Sequence, residues 1–395
     1  MRILIVCQHY YPEPFTITSI AEDLSKRGHE VTVLTSKPSY GFVGIAPGYE
    51  NIDFERVNNV DIYRVDIVPR ESGRFSIVRN YLSFWRHAKR KVLRLGEFDV
   101  VYSMSLSPII MVSPALKIRR KQNIPVLLHC LDLWPESVLI TNALKRSNPL
   151  YGILKIWSKY IYKRVDKILL SSPSFKDYFS SYLKLPNLDM EYVPQPAFLP
   201  HKKGEDIIYE DPTFVYCGNI GKLQLVSEVV EGFSLLENSN AKLIIIGMGS
   251  ESDNVKELIK EKHIENRVLY LGPKRRDEAC LYFKNCKALI VSLKEGGSVG
   301  KTIPNKLITS LYYGKPILGI IAGDGRDILE KAKGTIFAKE NIESIKESFA
   351  KLLSMDEKEL NEFGKNNKEY YEKNFSFEKI VDGIEANLKI LKKKK

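Results

Sequence analysis

Between Lys294 and Leu318 the chain reads Lys-Glu-Gly-Gly-Ser-Val-Gly-Lys-Thr-Ile-Pro-Asn-Lys-Leu-Ile-Thr-Ser-Leu-Tyr-Tyr-Gly-Lys-Pro-Ile-Leu. Gly296, Gly297 and Gly300 form a glycine-rich loop ahead of a helix that Pro304-Asn305-Lys306 opens. Gly314-Lys315-Pro316 ends that helix and starts a new strand. Free backbone amides, a helix N-terminus and a lysine then coincide, as a diphosphate requires. A Walker A loop is almost spelled out, but Glu295 stands where its first glycine belongs. The segment also sits late in its domain without a matching acidic strand, so NTPase chemistry is not the reading.

Cys217-Gly-Asn-Ile-Gly-Lys-Leu-Gln224 is a second anion candidate. Gly218 and Gly221 let amides approach a phosphate, a helix follows near Ser227, and Lys222 adds charge. The plain alternative is a β-turn, since Asn with Gly is turn chemistry. Val268–Asp277 closes a strand on a Gly-Pro corner whose backbone could meet a nucleobase edge. Lys274, Arg275 and Arg276 there face either a phosphate or solvent.

Two loops in the first half carry side chains fit for catalysis. Strand 126–129 runs into Cys130-Leu-Asp-Leu-Trp-Pro-Glu-Ser137. Asp132, a carboxylate at a strand's carboxyl end, is the leading catalytic candidate, with His129 and Glu136 secondary. Against these stand an N-cap role for Asp132 and a satisfied strand position for His129. The first strand ends in Gln8-His-Tyr-Tyr-Pro-Glu-Pro14, which sets His9, Tyr10, Tyr11 and Glu13 either against a substrate or on a rigid connection. No Gly-x-Gly-x-x-Gly follows that strand, which counts against a nicotinamide enzyme.

These residues need a scaffold. Arg2–Cys7 is a short apolar run, Ile17, Ile20, Ala21 and Leu24 recur at helical spacing, Lys26-Arg27-Gly28 closes the helix, and Val31–Thr35 follows. That is a β-α-β unit, the seed of a doubly wound sheet. Further strands are expected at 61–66, 100–103, 126–129 and 167–171. A second series is expected at 213–217, 242–246, 268–271, 288–291, 317–319 and 334–338. Tyr192–Pro200 holds three prolines and His201–Asp211 is polar, which predicts an extended linker. The expected architecture is α/β: an N-terminal Rossmann-like domain over 1–195, a linker over 196–211 and a second such domain over 212–375. The two parallel sheets would face a central cleft.

With 395 residues, 44% hydrophobic, the chain is long enough for two cores and too apolar to be disordered. Its apolar runs are far shorter than the ~20 residues of a membrane span, and Met1–Cys7 lacks the length of a signal peptide. Five scattered cysteines contain no Cys-x-x-Cys pair, so a reduced, soluble, cytoplasmic protein is expected, with neither disulfide framework nor zinc site. No Asp-x-Asp triplet occurs, so no metal ligand set is expected. The net charge of +12 is uneven: residues 1–200 carry 27 basic and 18 acidic residues, the remainder 33 and 30. A basic first half favours an anionic partner.

The ordered set Lys-Arg-Gly-His-Glu-Val-Thr-Val (26–33), Asp132-Leu-Trp-Pro-Glu-Ser, Gly218-Asn-Ile-Gly, Pro304-Asn-Lys and Gly314-Lys-Pro resembles the retaining GT-B glycosyltransferases of family four. More narrowly it resembles their bacterial surface-polysaccharide branch of fucosamine-transferase and colanic-acid type. The resemblance implies a nucleotide sugar, usually a UDP-sugar, in the second domain and no cofactor. It places Gly218, Asn219, Gly221 and Lys306 on the diphosphate, with Lys222, Pro304 and Asn305 beside them, and Leu271, Pro273 and Lys274 near the base. It puts the acceptor, a lipid-linked (polyprenyl-diphosphate) saccharide, in the first domain, and sends the final helices, about 376–391, back to it. It implies front-face transfer assisted by a phosphate oxygen, with Asp132 positioning donor or acceptor. One departure stands out. Where many relatives carry two glutamates eight positions apart, this chain has Lys301 and Thr309, and Glu295 is too far away to fit.

Residues 70–94 hold eight bases (Arg70, Arg74, Arg79, Arg86, Lys89, Arg90, Lys91, Arg94) against Glu71, interleaved with Tyr81, Leu82, Phe84 and Trp85. Helical spacing groups Ile77, Tyr81, Phe84 and Trp85 on one side, a pattern suited to an anionic membrane surface or to a core. Residues 145–167 repeat it with Tyr151, Trp157, Tyr160 and Tyr162. With His9, Tyr11 and Glu13, the residues Arg79, Trp85, Arg86, Lys89, Arg90 and Lys91 of the 70–94 segment form the expected acceptor and membrane side, on the inner face of the cytoplasmic membrane. A UDP-sugar epimerase and a non-catalytic nucleotide- or lipid-binding partner are the competing readings. No nucleic-acid module is recognised.

Overall fold

The computed structural model describes residues 1–42, 44–69, 74–140, 144–197, 204–237, 239–296 and 302–393, with the side chains of Arg74, Phe75 and Ile140 left aside. Arg70, Glu71, Gly297, Gly300, Lys301 and the middle of the proline-rich stretch, 198–203, lie outside them.

The chain divides into two compact units, Met1–Gln195 with Phe377–Lys395, and Pro196–Ser376. In the first, β1 (Arg2–Val6), β2 (Glu30–Ser36), β3 (Phe54–Val57), β4 (Val60–Val65), β5 (Val100–Ser105), β6 (Val126–Cys130), β7 (Lys167–Leu170) and β8 (Met190–Tyr192) form one sheet. Its order is β3-β4-β2-β1-β5-β6-β7-β8. Ile3, Leu4, Ile5 and Val6 are all fully buried because layers cover both faces of β1. Leu4 and Val6 meet Phe84, Ala88 and Ile118; Ile3 and Ile5 meet Ile17, Ile20 and Leu24. Burying each such aliphatic side chain contributes roughly 1.5–3 kcal/mol.

Two features differ from the sequence expectation. β3 pairs antiparallel with β4 through Asn58 and Asn59, both with positive φ, as a two-residue hairpin turn requires. The expected linker is also not free chain. Tyr192 belongs to β8, and 204–211 is tied to the second unit, where the Ile207 N–H donates to the Leu281 carbonyl and the Tyr209 hydroxyl to that of Tyr282.

The second unit holds β9 (Thr213–Cys217), β10 (Lys242–Ile246), β11 (Val268–Gly272), β12 (Ala288–Ser292), β13 (Ile317–Ile320) and β14 (Thr335–Phe337). They are all parallel, in the order β11-β10-β9-β12-β13-β14. The order reverses beside β1 in one sheet and beside β9 in the other. Such switch points open crevices at the strands' carboxyl ends. Among the described residues no helix is long and apolar enough to cross a membrane.

The last helix, Phe377–Lys393, returns to the first unit and buries Ile380, Ile384 and Leu388 against the Ile3/Ile17 cluster. Glu385 fastens it, accepting from Arg27 (3.1 Å), His29 Nε2 (2.8 Å) and Lys389 (2.5 Å). Burial alone would raise this carboxyl, but hydrogen bonds from Lys389, His29 and Arg27 prevail and hold it near 2 instead of the ordinary 4.5. A depressed carboxylate contributes stability that is complete above 4.5 and lost as pH falls through about 2. The melting temperature of Glu385→Gln should therefore lie below the parent's at pH 7, and the gap should close between pH 4.5 and 2. A gap independent of pH would show that the carboxylate charge is not what fastens the helix.

Candidate functional site

The second unit's crevice is built on β9, whose end turns into Gly218-Asn219-Ile220-Gly221. This loop lies on the turn after β10. The Gly218 N–H donates to the Ile246 carbonyl, the Ile220 N–H to that of Met248 and the Glu251 N–H to that of Ile220, all within 3.0 Å. The backbones approach so closely that side chains are excluded. A Cβ on Gly247, where φ is +142°, would stand 1.9 Å from the Gly218 oxygen, and one on Gly249 would stand 2.2 Å from that of Ile220. Gln224 fixes the loop from the other side, accepting from Asn219 Nδ2 at 3.0 Å and the Gly221 N–H at 3.1 Å.

Across the crevice stands the helix Asn305–Tyr313. Extended Pro304 precedes it, no side chain caps it, and the Leu307 N–H already bonds the Pro304 carbonyl at 3.0 Å. The first helical amides thus remain for an anion. Leu307, Ile308 and Leu311 anchor the helix in the core, and left-handed Gly314 ends it. Lys306 lies beside the loop, its Nζ 4.6 Å from the centre of the Tyr216 ring and donating to the Tyr216 hydroxyl at 3.3 Å. That hydroxyl in turn donates to the Asn219 carbonyl at 2.5 Å. Burial pushes the Lys306 ammonium down to about 7, against a small opposing effect of Cys217. Burial also pushes the Cys217 thiol up to about 11, with Arg276 and Lys306 pulling the other way.

Loop and helix enclose a cavity of about 350 Å³. Gly218, Asn219, Pro304, Asn305, Lys306 and Thr309 all line it. Other expected residues lie elsewhere. Gly221 belongs to the loop but not to the cavity wall, and Lys222 points to solvent. Leu271 packs into a neighbouring apolar cluster, Pro273 is exposed and Lys274 half-buried, so the Gly-Pro corner is not part of the wall among the described residues. Glu295 is exposed, its N–H held by the Glu340 carboxylate. Gln224 and Tyr216 hold the loop and were not singled out as contacts in the sequence, whereas Arg276, read there as facing phosphate or solvent, lines the cavity. The Gly247-Met-Gly249 turn after a strand was a signal that could have found the cradle.

In the first unit, Asp132 sits on the turn after β6 and accepts from the Ser107 N–H at 3.2 Å, bridging to the loop after β5. Burial raises its carboxyl, partly offset by the backbone and hydroxyl of Ser107. The two secondary candidates are corrected. His129 is fully buried, its Nε2 donating to the Val193 carbonyl and its Nδ1 accepting from Tyr102, both at 2.9 Å. Burial pushes it down to about 4, against the pull of the Val193 carbonyl. Glu136 is buried and accepts from the hydroxyls of Tyr151 and Tyr178, the latter also lying 3.1 Å from the Trp134 carbonyl. It anchors the turn that carries Asp132.

The first loop is likewise an anchor. Buried Glu13 accepts from His9 Nδ1 at 2.9 Å and from the N–H groups of Ser39 and Tyr40 at 2.8 and 2.6 Å. His9 stacks on Phe15 with centroids 4.9 Å apart. Tyr11 is exposed. On the helix Arg74–Lys91, the expected apolar side is split. Phe84 is core, Ile77 faces solvent, and Trp85 is half-buried under Lys89 at 4.7 Å. Arg79, Arg86 and Arg90 are exposed, Lys89 and Lys91 half-buried.

Residues 200–370 match the model of glycosyl transferases group 1, and residues 15–196 match a glycosyl transferase 4-like domain. Each match covers less than half of the chain, and both are to glycosyl transferase models. A probable glycosyltransferase of Pseudomonas aeruginosa, WbjE, is 25% identical over 56% of this chain and 57% of its own. The curated relatives it matches are spanned over only 47–60% of their length. Among solved structures, sucrose-phosphate synthase of Thermosynechococcus elongatus superposes with a TM-score of 0.76 at 14% identity, covering 99% of both chains. Anabaena HepE, solved with UDP and glucose, gives 0.68 at 13% identity over 98% of this chain and 99% of its own. These likenesses show the GT-B-like fold.

Gly247→Ala should lower stability by about 1–3 kcal/mol or more, because only backbone stands in the way of the new methyl. Gly152→Ala, on an exposed helix face with nothing within 4 Å of the new Cβ, should instead raise it by roughly 0.5–1 kcal/mol. Equal melting temperatures for the two variants would contradict the close approach.

Proposed function

We propose that the protein transfers a sugar from a nucleotide-sugar donor to a lipid-linked saccharide. The observation that carries this is Lys306, set at an uncapped helix start in the same cavity wall as Gly218 and Asn219. Departure of a nucleoside diphosphate builds negative charge where these donors stand, and preorganised donors stabilise it. The chemistry needs no metal in this reading. Transfer proceeds with retention on the front face of the sugar, a phosphate oxygen assisting, and Asp132 positions donor or acceptor. Structures of related fold solved with UDP, and the glycosyl transferase models that match each half, support a UDP-sugar. A 2-acetamido sugar such as UDP-N-acetylfucosamine and a polyprenyl-diphosphate acceptor, in bacterial capsule, O-antigen or exopolysaccharide synthesis, complete the proposal.

A lysine held near 7 recharges when a diphosphate binds, so binding takes up a proton above pH 7. The nucleotide's own terminal phosphate, with a pKa of about 6, is by then fully ionised. UDP affinity measured by calorimetry should fall as pH rises above 7, with proton uptake at pH 8 and little at pH 6. Lys306→Ala should abolish the uptake and weaken UDP by about 1.5–3 kcal/mol. Affinity flat from pH 6 to 8.5 with no uptake would sink this assignment.

The first unit docks on the inner face of the membrane. What supports this is the helix Pro149–Tyr162, where Leu150, Ile153, Ile156 and Tyr160 are 47, 61, 72 and 51% exposed along one face beside Lys155, Lys159 and Arg164. This helix and Arg74–Lys91 both pack on the turn Ile109–Val112. Aliphatics insert while bases meet phosphates, each base contributing roughly 1 kcal/mol near an anionic surface. Ile153→Glu with Ile156→Glu, and separately Arg86, Lys89, Arg90 and Lys91 all to Gln, should each release the protein from phosphatidylglycerol-containing vesicles at 0.1 M salt, without altering UDP binding. Sedimentation with the vesicles equal to the parent's would remove this face from the account.

A further inference from the structure

Around Tyr182 the first unit gathers charge that the nucleotide site does not use. The Tyr182 ring is fixed by Tyr178, which stacks on it with centroids 5.4 Å apart and planes 24° from parallel. Two cations lie over the same ring, Lys155 Nζ at 3.8 Å from its centroid and the Arg146 guanidinium at 5.5 Å. No more than about 9 Å can separate them, because both distances run to one point. Arg146 is exposed and Lys155 half-buried, and among the described residues neither has a carboxylate partner. Glu136, the acid of this cluster, is buried and already accepts from Tyr151 and Tyr178.

The same cluster leads to the turn after β6. The Tyr182 hydroxyl lies 2.7 Å from that of Tyr151, which donates to Glu136. Glu136 opens the short helix Glu136–Ile140, four residues past Asp132. The two cations are thus linked through three side chains to the segment that presents Asp132.

Like charges held this close repel, and an anion between them replaces repulsion with attraction. A guanidinium fork and an ammonium together suit the oxygens of a multiply charged phosphate group. Their place on the helix Pro149–Tyr162 tells how such a group is carried. At 100° per residue, Lys155 stands roughly 100–160° around the helix from Ile153, Ile156 and Tyr160. It is therefore off the exposed stripe that enters the membrane. A phospholipid headgroup lies at the level of that stripe, whereas a diphosphate that links a lipid to a sugar projects above it. We propose that Arg146 and Lys155 bind the diphosphate of the lipid-linked acceptor, with Tyr182 as the platform that holds both cations. The proposal rests on the lipid-linked acceptor reading and gives its diphosphate a site beside the Asp132 turn.

Vesicle sedimentation of the full chain at moderate salt tests this. Phosphatidylcholine vesicles carry either undecaprenyl diphosphate or enough phosphatidylglycerol to match its charge. The parent should favour the diphosphate vesicles by about tenfold, the scale of one charge-assisted hydrogen bond. Arg146→Gln with Lys155→Gln should abolish that preference. Lys163→Gln with Lys176→Gln, which removes the same charge from exposed positions of the first unit, should keep it. UDP binding should be unchanged in both variants, which also reports that the fold is kept. Equal sedimentation of the parent with the two vesicles would overturn the proposal while leaving membrane docking intact. A preference that survives in the Arg146 and Lys155 variant, or that is lost in both variants alike, would overturn it too. Sedimentation with neither vesicle would overturn the docking reading together with the proposal.

Discussion

A half-buried lysine ammonium set against the face and hydroxyl of Tyr216, its pKa pushed down by burial to about 7, is the constraint on which the second unit's site depends. Isolated cations avoid such places, and an anion restores the charge when it arrives. Holding the lysine there takes the inner strand that carries Tyr216, the glycine loop that passes beside its stem, and a helix that begins without a cap. The close glycine contacts serve the same end. They bring the turn after β10 under the loop, so the loop's position is set by backbone hydrogen bonds rather than by mobile side chains.

The first unit spends its buried polar groups on position. His129 ties β6 to Tyr102 and to the chain leaving β8. Glu136 gathers two tyrosines under the turn that presents Asp132. Glu13 closes the loop after β1 onto Ser39 and Tyr40. Each is a satisfied group, as burial demands, and each looks catalytic when only its residue type is known. Asp132, at the carboxyl end of β6, has its carboxyl raised by burial and takes Ser107 as its partner.

Most strands were legible in the sequence, because runs such as Ile3–Val6 and Leu243–Ile246 are apolar at every position and a covered parallel strand reads that way. β3 was not, since Phe54-Glu-Arg-Val57 is half-exposed and carries little pattern, although Asn58-Asn59 marked its turn. At the site, Lys306 and the 218–221 loop stood out locally. Gly247 and Gly249 did not, because their importance arises only when segments distant in the chain are folded together. Periodicity also shows that a helix has an apolar face without showing what covers it. Phe84 went to the core, whereas Ile153 and Ile156 stayed in water.

The central claim is that the chain moves a sugar from its nucleotide to an acceptor in the membrane. The most direct measurement is the fate of label from radiolabelled uridine-linked nucleotide sugars incubated with the protein and bacterial membranes in EDTA. The account predicts label in the organic-solvent phase matched by release of nucleoside diphosphate, lost in Lys306→Ala and strongly reduced in Asp132→Asn. Label that stays water-soluble, whether as free sugar or as an epimerised nucleotide sugar, would contradict it.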